Sequence, residues 1–285
     1  MKKLHPLGLA LAFAFVASLL ATNARADVIG YSVASNFDDH LYAINLNTGA
    51  AVDLGLVGLD DAEGLAFAGS TLYAIGGTVP EFWDITTPPG FLVGGTGPRD
   101  GIDAGLSFNT ANGTMYNIQG GGGDTSTLYT IALGSGAATL VGSSGDYSDG
   151  LGIDSAGNAY GSDAIFDDGL FSVDLSDGSL TFIGGFGLGD ISQQSGLSFD
   201  DTGVLWMILG DGSIYTVDTG TGLATFSASV TVRGGAISGF EGLAIPVSGR
   251  AVPEPSSLAL AGCGLLACGL GAVVRRRRSL RTREH

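Results

Sequence analysis

The chain has 285 residues and 28 acidic against 12 basic side chains, for a net charge of −16. Between Asp27 and Pro246 only Arg99 and Arg233 are basic, against 26 acidic residues, so that segment carries about −24. Such a surface excludes nucleic acid and anionic lipid as partners, because nothing neutralises phosphate, and it favours cations.

The N-terminus reads as a secretory signal. Lys2 and Lys3 precede an apolar run from Leu7 to Leu20, and Ala24-Arg25-Ala26 is a small-x-small cleavage site. Residues 1–26 are therefore expected to form a signal helix that is removed, with the mature chain starting at Asp27.

From there the chain repeats itself. A Gly-Leu-x-apolar motif recurs at Gly64-Leu65, Gly105-Leu106, Gly150-Leu151, Gly196-Leu197 and Gly242-Leu243, spaced 41, 45, 46 and 46 residues apart. After each of the first four comes a second short strand: Leu72–Ile75, Met115–Ile118, Ala159–Ser162 and Leu205–Ile208. Third strands such as Leu128–Ile131 and fourth strands such as Leu180–Ile183 follow, joined by Asp/Asn/Gly turns. Short aromatic and β-branched segments with such turns are hairpin chemistry, and four strands per roughly 45 residues is the period of a β-propeller blade.

The ends of the repeat predict how the ring closes. Val28–Val33, Leu41–Ile44 and Ala51–Leu54 make a blade without its first strand, while Gly242–Ile245 is a first strand with nothing after it. The expected fold is all-β, a five-bladed propeller over 27–246 in which the C-terminal strand completes the N-terminal blade and leaves no long edge exposed. An open solenoid is the alternative. The blade after Gly64 is the irregular one, because Pro88-Pro89 interrupts its outer strands.

Residues 247–257 form a linker containing Val252-Pro253-Glu254-Pro255. An apolar stretch of 17 residues, Leu258 to Val274, comes next, and then Arg275-Arg276-Arg277-Arg278 within a basic tail, 275–285. The stretch is at the short end of what spans a bilayer as a helix, and the arginines place its end on the cytoplasmic side. At these residues the sequence resembles the PEP-CTERM sorting signal of exported proteins of Gram-negative, exopolysaccharide-producing bacteria. The resemblance implies handling by the secretion machinery and by an exosortase-type sorting enzyme. It also implies a membrane intermediate held by the C-terminal helix, and a final place at the cell surface or in the extracellular matrix. The Leu-Tyr-x-Ile-Asn/Asp-x-x-Thr-Gly repeat is similar to secreted propellers of the NHL, SMP-30-like and YVTN type; that likeness bears on the fold only.

Within the domain, Cys is absent and His40 is the only histidine, so a metal site must be built from oxygen ligands. In a propeller the inter-blade connections and the loops between second and third strands share one face. Of the 26 acidic residues, 17 fall in those segments. Glu63, Asp149 and Glu241 stand immediately before a Gly-Leu motif, and Asp103 stands one residue further back. Asp60, Asp61, Glu63, Asp100, Asp103, Asp146, Asp149 and Glu241 are thus the candidate set for a carboxylate ring at the channel mouth, with Ca²⁺ as its candidate ion. A solvated acidic surface with no ion is the competing reading. His40 beside Asp39, Trp83, Trp206 and the Gly120–Gly123 run read as loop or core features rather than sites. Three functions stay open: a non-catalytic acidic propeller for cation, exopolysaccharide or surface-protein binding; a secreted propeller enzyme of the glycan hydrolase, lyase or Ca²⁺-dependent lactonase type; and a purely structural role in the biofilm matrix that needs no site.

Overall fold

The computed structural model describes residues 27–35, 39–76, 79–97, 101–121 and 125–247. The expected signal helix, PEP motif, apolar helix and arginine block lie outside the described residues. So do Asp38, Asp100 and Asp124.

The described residues build five four-stranded antiparallel sheets and one small hairpin. Blade 1 joins β1 (Ile29–Ala34), β2 (His40–Asn45) and β3 (Ala51–Leu56) to β22 (Phe240–Ala244), in the order β22-β1-β2-β3. Blade 2 runs β4 (Ala62–Ala68), β5 (Thr71–Gly76), β6 (Glu81–Asp84), β7 (Phe91–Gly95). Blade 3 is β8 (Gly101–Asn109), β9 (Thr114–Gly121), β10 (Ser126–Ile131), β11 (Ala138–Ser144). Blade 4 is β12 (Gly150–Ile153), β13 (Ala159–Asp163), β14 (Gly169–Val173), β15 (Leu180–Gly185). Blade 5 is β16 (Ser195–Phe199), β17 (Leu205–Leu209), β18 (Ser213–Val217), β19 (Ala224–Ser229). The ring is closed as the sequence predicts, by β22 inside the N-terminal blade.

The Gly-Leu motif has two separate jobs. Its leucines Leu65, Leu106, Leu151, Leu197 and Leu243 are all buried between blades, where truncation to Ala typically costs about 2–5 kcal/mol. Its glycines let neighbouring inner strands touch backbone to backbone. A Cβ on Gly64 would lie 2.6 Å from the Ala104 carbonyl oxygen, on Gly105 2.6 Å from that of Asp149, and on Gly242 2.3 Å from that of Glu63. Any side chain at these points would push the ring open.

The outer strands carry a second repeated device. In all five blades the third-to-fourth ladder slips register at the same place, between Leu41 and Tyr42, Phe82 and Trp83, Leu128 and Tyr129, Leu170 and Phe171, and Ile214 and Tyr215. Bulges increase local twist, which turns each outermost strand onto the next blade. There Gly142 packs against the Asp177 backbone and Gly184 against that of Thr221.

Two details depart from the sequence reading. Pro88-Pro89 occupies the turn between β6 and β7, and both strands are intact beside it. A turn accepts two missing N–H donors that a ladder cannot. The final inter-blade connection also holds an unforeseen hairpin, β20 (Thr231–Val232) with β21 (Gly235–Ala236), tied to blade 1 by the Thr231 N–H donating to the Gly49 carbonyl (2.8 Å).

Candidate functional site: carboxylates at the channel mouth

Inter-blade segments and second-to-third loops do share a face, because they hydrogen-bond to one another. The Val57 N–H donates to the Asp39 carbonyl (2.8 Å), that of Gln193 to Ala164 (2.9 Å) and that of Gly210 to Gln194 (3.0 Å). The chain enters each inner strand from this face, so residues just before the glycines line the mouth. Around the ring those positions are Glu63, Ala104, Asp149, Ser195 and Glu241.

On one side of the mouth Asp61, Glu63 and Glu241 bring carboxylate oxygens within 4.8 Å of one another. Local backbone geometry sets this up. Glu63 is the extra residue in the register break between Ala62–Gly76 and Gly64–Ile75, and bulges re-aim side chains in this way. Asp61 adopts a left-handed φ of 61°, and the neighbouring Ala62 N–H is held by Asp39 Oδ2 at 3.0 Å. Glu241 precedes Gly242, whose φ of 62° accommodates the break where β22 meets β1. The Ser35 hydroxyl donates to Glu241 Oε1 at 2.5 Å and the Glu63 carboxyl hydrogen-bonds to the Glu241 side chain, while Glu241 Oε2 meets no hydroxyl or amide donor although the residue is only 9 % exposed.

On the other side, Asp103 reaches over the mouth. Gln194, from the far inner strand, donates to Asp103 Oδ1 at 2.6 Å, and the Tyr147 hydroxyl donates to Oδ2 at 2.7 Å. Beneath them Asp149 is buried. Its Oδ1 accepts from Ser195 Oγ at 3.1 Å, Ser195 Oγ meets Ser162 Oγ at 2.7 Å, and Oδ2 has no partner. The buried amide of Gln119 also lacks partners at both its oxygen and its nitrogen.

Burial without counter-charge determines the proton affinity of this cluster. Desolvation, and then the proximity of Glu241, Asp103, Asp61 and Asp149, push Glu63 up to about 11. Glu241 rises to about 7, again chiefly by desolvation. Asp149 rises well above the usual carboxylate range for the same reason, with Asp103 adding to it. Burial, and then Asp149 and Asp103, likewise raise the Tyr147 phenol. Metal-free and near neutral pH, the mouth therefore holds protons that free carboxylates would release.

Not every candidate joins the cluster. Asp60 and Asp146 are exposed rim residues, and Asp100 falls outside the described residues. Buried Asp163 caps its own loop, accepting from the N–H groups of Ile165 (2.9 Å), Phe166 (2.8 Å) and Asp167 (2.9 Å). His40 pairs with Asp53 of the outermost strand at 2.9 Å. Trp206 is core and donates to Asp200 (2.9 Å), and half-buried Trp83 donates to Glu81 (2.9 Å). Tyr147, Gln194, Ser195, Ser35 and Gln119 also belong to the mouth, and as neutral side chains they carry no charge pattern that would single them out in the sequence. Ser195 and Gln194 had a legible signal: they stand one and two residues before Gly196, as Asp149 and Asp103 stand before Gly150 and Gly105.

Residues 251–278 match the PEP-CTERM protein-sorting motif. No curated protein matches the chain. Among solved structures, one of a nidogen/laminin complex aligns with a TM-score of 0.52 at 13% identity, over 78% of this chain and 82% of that one. A proposed gluconolactonase aligns at 0.46 and 14% identity, over 73% and 80%. An engineered GH43 glycoside hydrolase aligns at 0.45 and 12% identity, over 59% and 41%. At such identities the likeness is one of fold alone. The chain thus carries a PEP-CTERM sorting motif at residues 251–278 behind a five-bladed β-propeller.

Proposed function

We propose that the protein is an exported, non-catalytic propeller presented at the cell surface or in the matrix, whose channel mouth binds a hard divalent cation. Ca²⁺ is the candidate ion. The observation that carries this reading is the buried Glu241 Oε2, which meets no hydroxyl or amide donor, beside Asp61 and Glu63. Ca²⁺ takes oxygen ligands at about 2.3–2.6 Å, so two ligands on opposite sides of one ion stand about 4.6–5.2 Å apart. Three carboxylate oxygens within 4.8 Å suit a single ion of that size. The cation would also offset the burial and mutual repulsion that keep the cluster protonated, and exopolysaccharide hydroxyls or a surface protein would meet the acidic face through it.

Export assigns roles to the remaining segments. Residues 1–26 are the signal peptide, 247–257 the linker, 258–274 the membrane helix and 275–285 the cytoplasmic tail. An exosortase-type enzyme is the processing partner that the sorting motif implies. Processing near Pro253-Glu254-Pro255 would leave β22 intact.

Thermal melting with added Ca²⁺ or a chelator tests the reading. Ca²⁺ should raise the melting temperature of the wild type and of Asp146→Asn, and leave that of Glu241→Gln unchanged. An equal rise in Glu241→Gln would remove the site.

One observation favours the enzyme reading as a second possibility. Asp149, a buried carboxyl of raised proton affinity, lies near a second acidic side chain, Asp103, and glycan hydrolysis uses two carboxyl groups. Cleavage of host exopolysaccharide by the wild type and its loss in Asp149→Asn would establish that activity. The absence of cleavage by a Ca²⁺-loaded wild type would leave binding as the function.

A further inference from the structure

We propose that the cation at Asp61, Glu63 and Glu241 is the latch of the propeller ring, so that docking of the closing strand β22 depends on divalent metal. The proposal rests on the cation reading above and adds what the cation does.

The site lies at the one place where the ring is not covalently continuous. β22 arrives from blade 5 and completes blade 1 through non-covalent contacts alone. Its alignment with β1 is short: Tyr31 faces Ala244, Val33 faces Glu241 and Ala34 faces Phe240, with a register break between. In the neighbouring blade the β4–β5 ladder also breaks, but it then runs unbroken from Gly64–Ile75 to Ala68–Thr71. The break in β22 is held by the Ser32 hydroxyl, which donates to the Gly242 carbonyl at 2.7 Å.

This seam is also where like charges meet. Among the five residues that precede the inner glycines, neighbours around the ring are Glu63 and Ala104, Ala104 and Asp149, Asp149 and Ser195, Ser195 and Glu241, and Glu241 and Glu63. Only the last pair puts a carboxyl on both sides. Both groups are buried, and Asp61 stands with them, so without a cation the two carboxyls meet only by keeping a proton between them, in a Glu63–Glu241 side-chain hydrogen bond. A cation replaces that proton and holds all three carboxylates at once. It also cross-links Glu63 and Glu241, roughly 180 residues apart in sequence, and clips that close long loops constrain the open chain most.

The mutual arrangement separates this role from a passive ion site. Asp61 and Glu63 belong to the entry of β4, which is continuous with β1–β3 through residues 57–61, whereas Glu241 belongs to β22. An opening that swings β22 away from β1 and from the entry of β4 together therefore pulls Glu241 from the other two ligands and releases the ion.

Amide hydrogen exchange on the full chain in detergent, paired with calorimetric Ca²⁺ titration of the same sample, tests the latch. At free Ca²⁺ about 100 times the measured Kd, openings that release the ion become about 100-fold rarer. Protection of Ile29–Ala34 and Phe240–Ala244 should rise by that factor, and protection of β17 and β18 in blade 5 by much less. Glu241→Gln keeps an acceptor for Ser35 but weakens the ligand set, so it should abolish the calcium effect without lowering metal-free protection. Measurable binding with unchanged protection of β22, or with an equal rise in all five blades, would overturn the latch and leave the cation site standing. No binding heat and no exchange response would overturn both.

Discussion

The two faces of this propeller use the same residue types for opposite ends. On the face away from the channel mouth, acidic side chains close turns. Asp218 accepts from the Gly220 and Thr221 N–H groups at 3.0 and 2.8 Å, and Asp174 from Ser176 N–H at 2.8 Å. Asp200 accepts from Thr202, Val204 and the Trp206 indole. At the mouth, Glu63, Asp149 and Glu241 face other carboxylates and serine hydroxyls, and buried oxygens of Asp149 and Glu241 meet no hydroxyl or amide donor. Proton affinity follows the surroundings. Hydrogen bonds, first from Ser176 and Thr221 respectively, lower Asp174 and Asp218. Partial burial would raise Asp200, but its bonds to Thr202 and Trp206 outweigh that and lower it. The mouth carboxyls are raised. The comparison teaches that acidic count alone says little. A carboxylate surrounded by donors is finished structure, and one surrounded by acceptors awaits a cation or a proton.

Opposite shifts mean opposite pH dependence, and this is the largest effect expected. Glu241 is raised from 4.5 to about 7, so the folded chain holds a proton that the unfolded chain loses above 4.5. Stability of the chelated protein should fall as pH rises through that window, by roughly 3 kcal/mol at about 1.4 kcal/mol per pKa unit from Glu241 alone. Glu63 contributes in the same direction over a window that extends further up. Saturating Ca²⁺ should oppose this fall, because metal binds the deprotonated ligands and its stabilisation grows with pH. Denaturant melts at pH 5 and pH 8, with and without chelator, read both halves. Equal chelated stability at the two values would contradict the raised carboxyls.

Glu241→Gln sharpens the contrast at a smaller scale. Removing a buried group that must ionise should stabilise the chelated protein at pH 8 by up to about 3 kcal/mol, the penalty just given, while abolishing its response to Ca²⁺. A mutation that stabilises without metal and destabilises with it has no counterpart among the turn residues.

How much of this was legible in the sequence depends on what kind of residue carried it. The five-bladed ring was readable because the inner strand needs Gly for backbone contact and Leu for burial between blades, which leaves a fixed period. Closure by β22 was readable because one blade lacked a first strand. The mouth was readable as a place, since Glu63, Asp149 and Glu241 keep constant offset from the glycines. Which carboxylates converge was not readable. Asp60 stands in the same segment as Asp61 and Asp146 in that of Asp149, and only loop geometry sends them outward. The crossing of Asp103 to Gln194 joins positions 91 residues apart through the curvature of the ring, which no local pattern encodes. Pro88-Pro89 misled for a similar reason, because local composition does not say whether a strand ends before it.

Two predictions concern the other face. Asp200→Ala should lower stability by about 1–3 kcal/mol by leaving the buried Trp206 indole without its acceptor, equally with and without Ca²⁺. Because its proton affinity is lowered, the stability Asp200 contributes is present above its ordinary value of 3.8 and is lost as pH falls below it. The smallest effect is expected for Asp218→Ala at a fully exposed turn, where a melting shift near the limit of detection and no change in Ca²⁺ response should be seen. A calcium response lost in either variant would erase the distinction between the two faces.

The central claim is that the mouth is a cation site completed by the closing strand. Calorimetric titration of the chelated, full-length chain with Ca²⁺ at pH 7, in two buffers of different ionisation heat, tests it most directly. One ion bound per chain, with protons released into the buffer and binding lost in Glu241→Gln, is the predicted result. No saturable binding, or binding unchanged by Glu241→Gln, would contradict it.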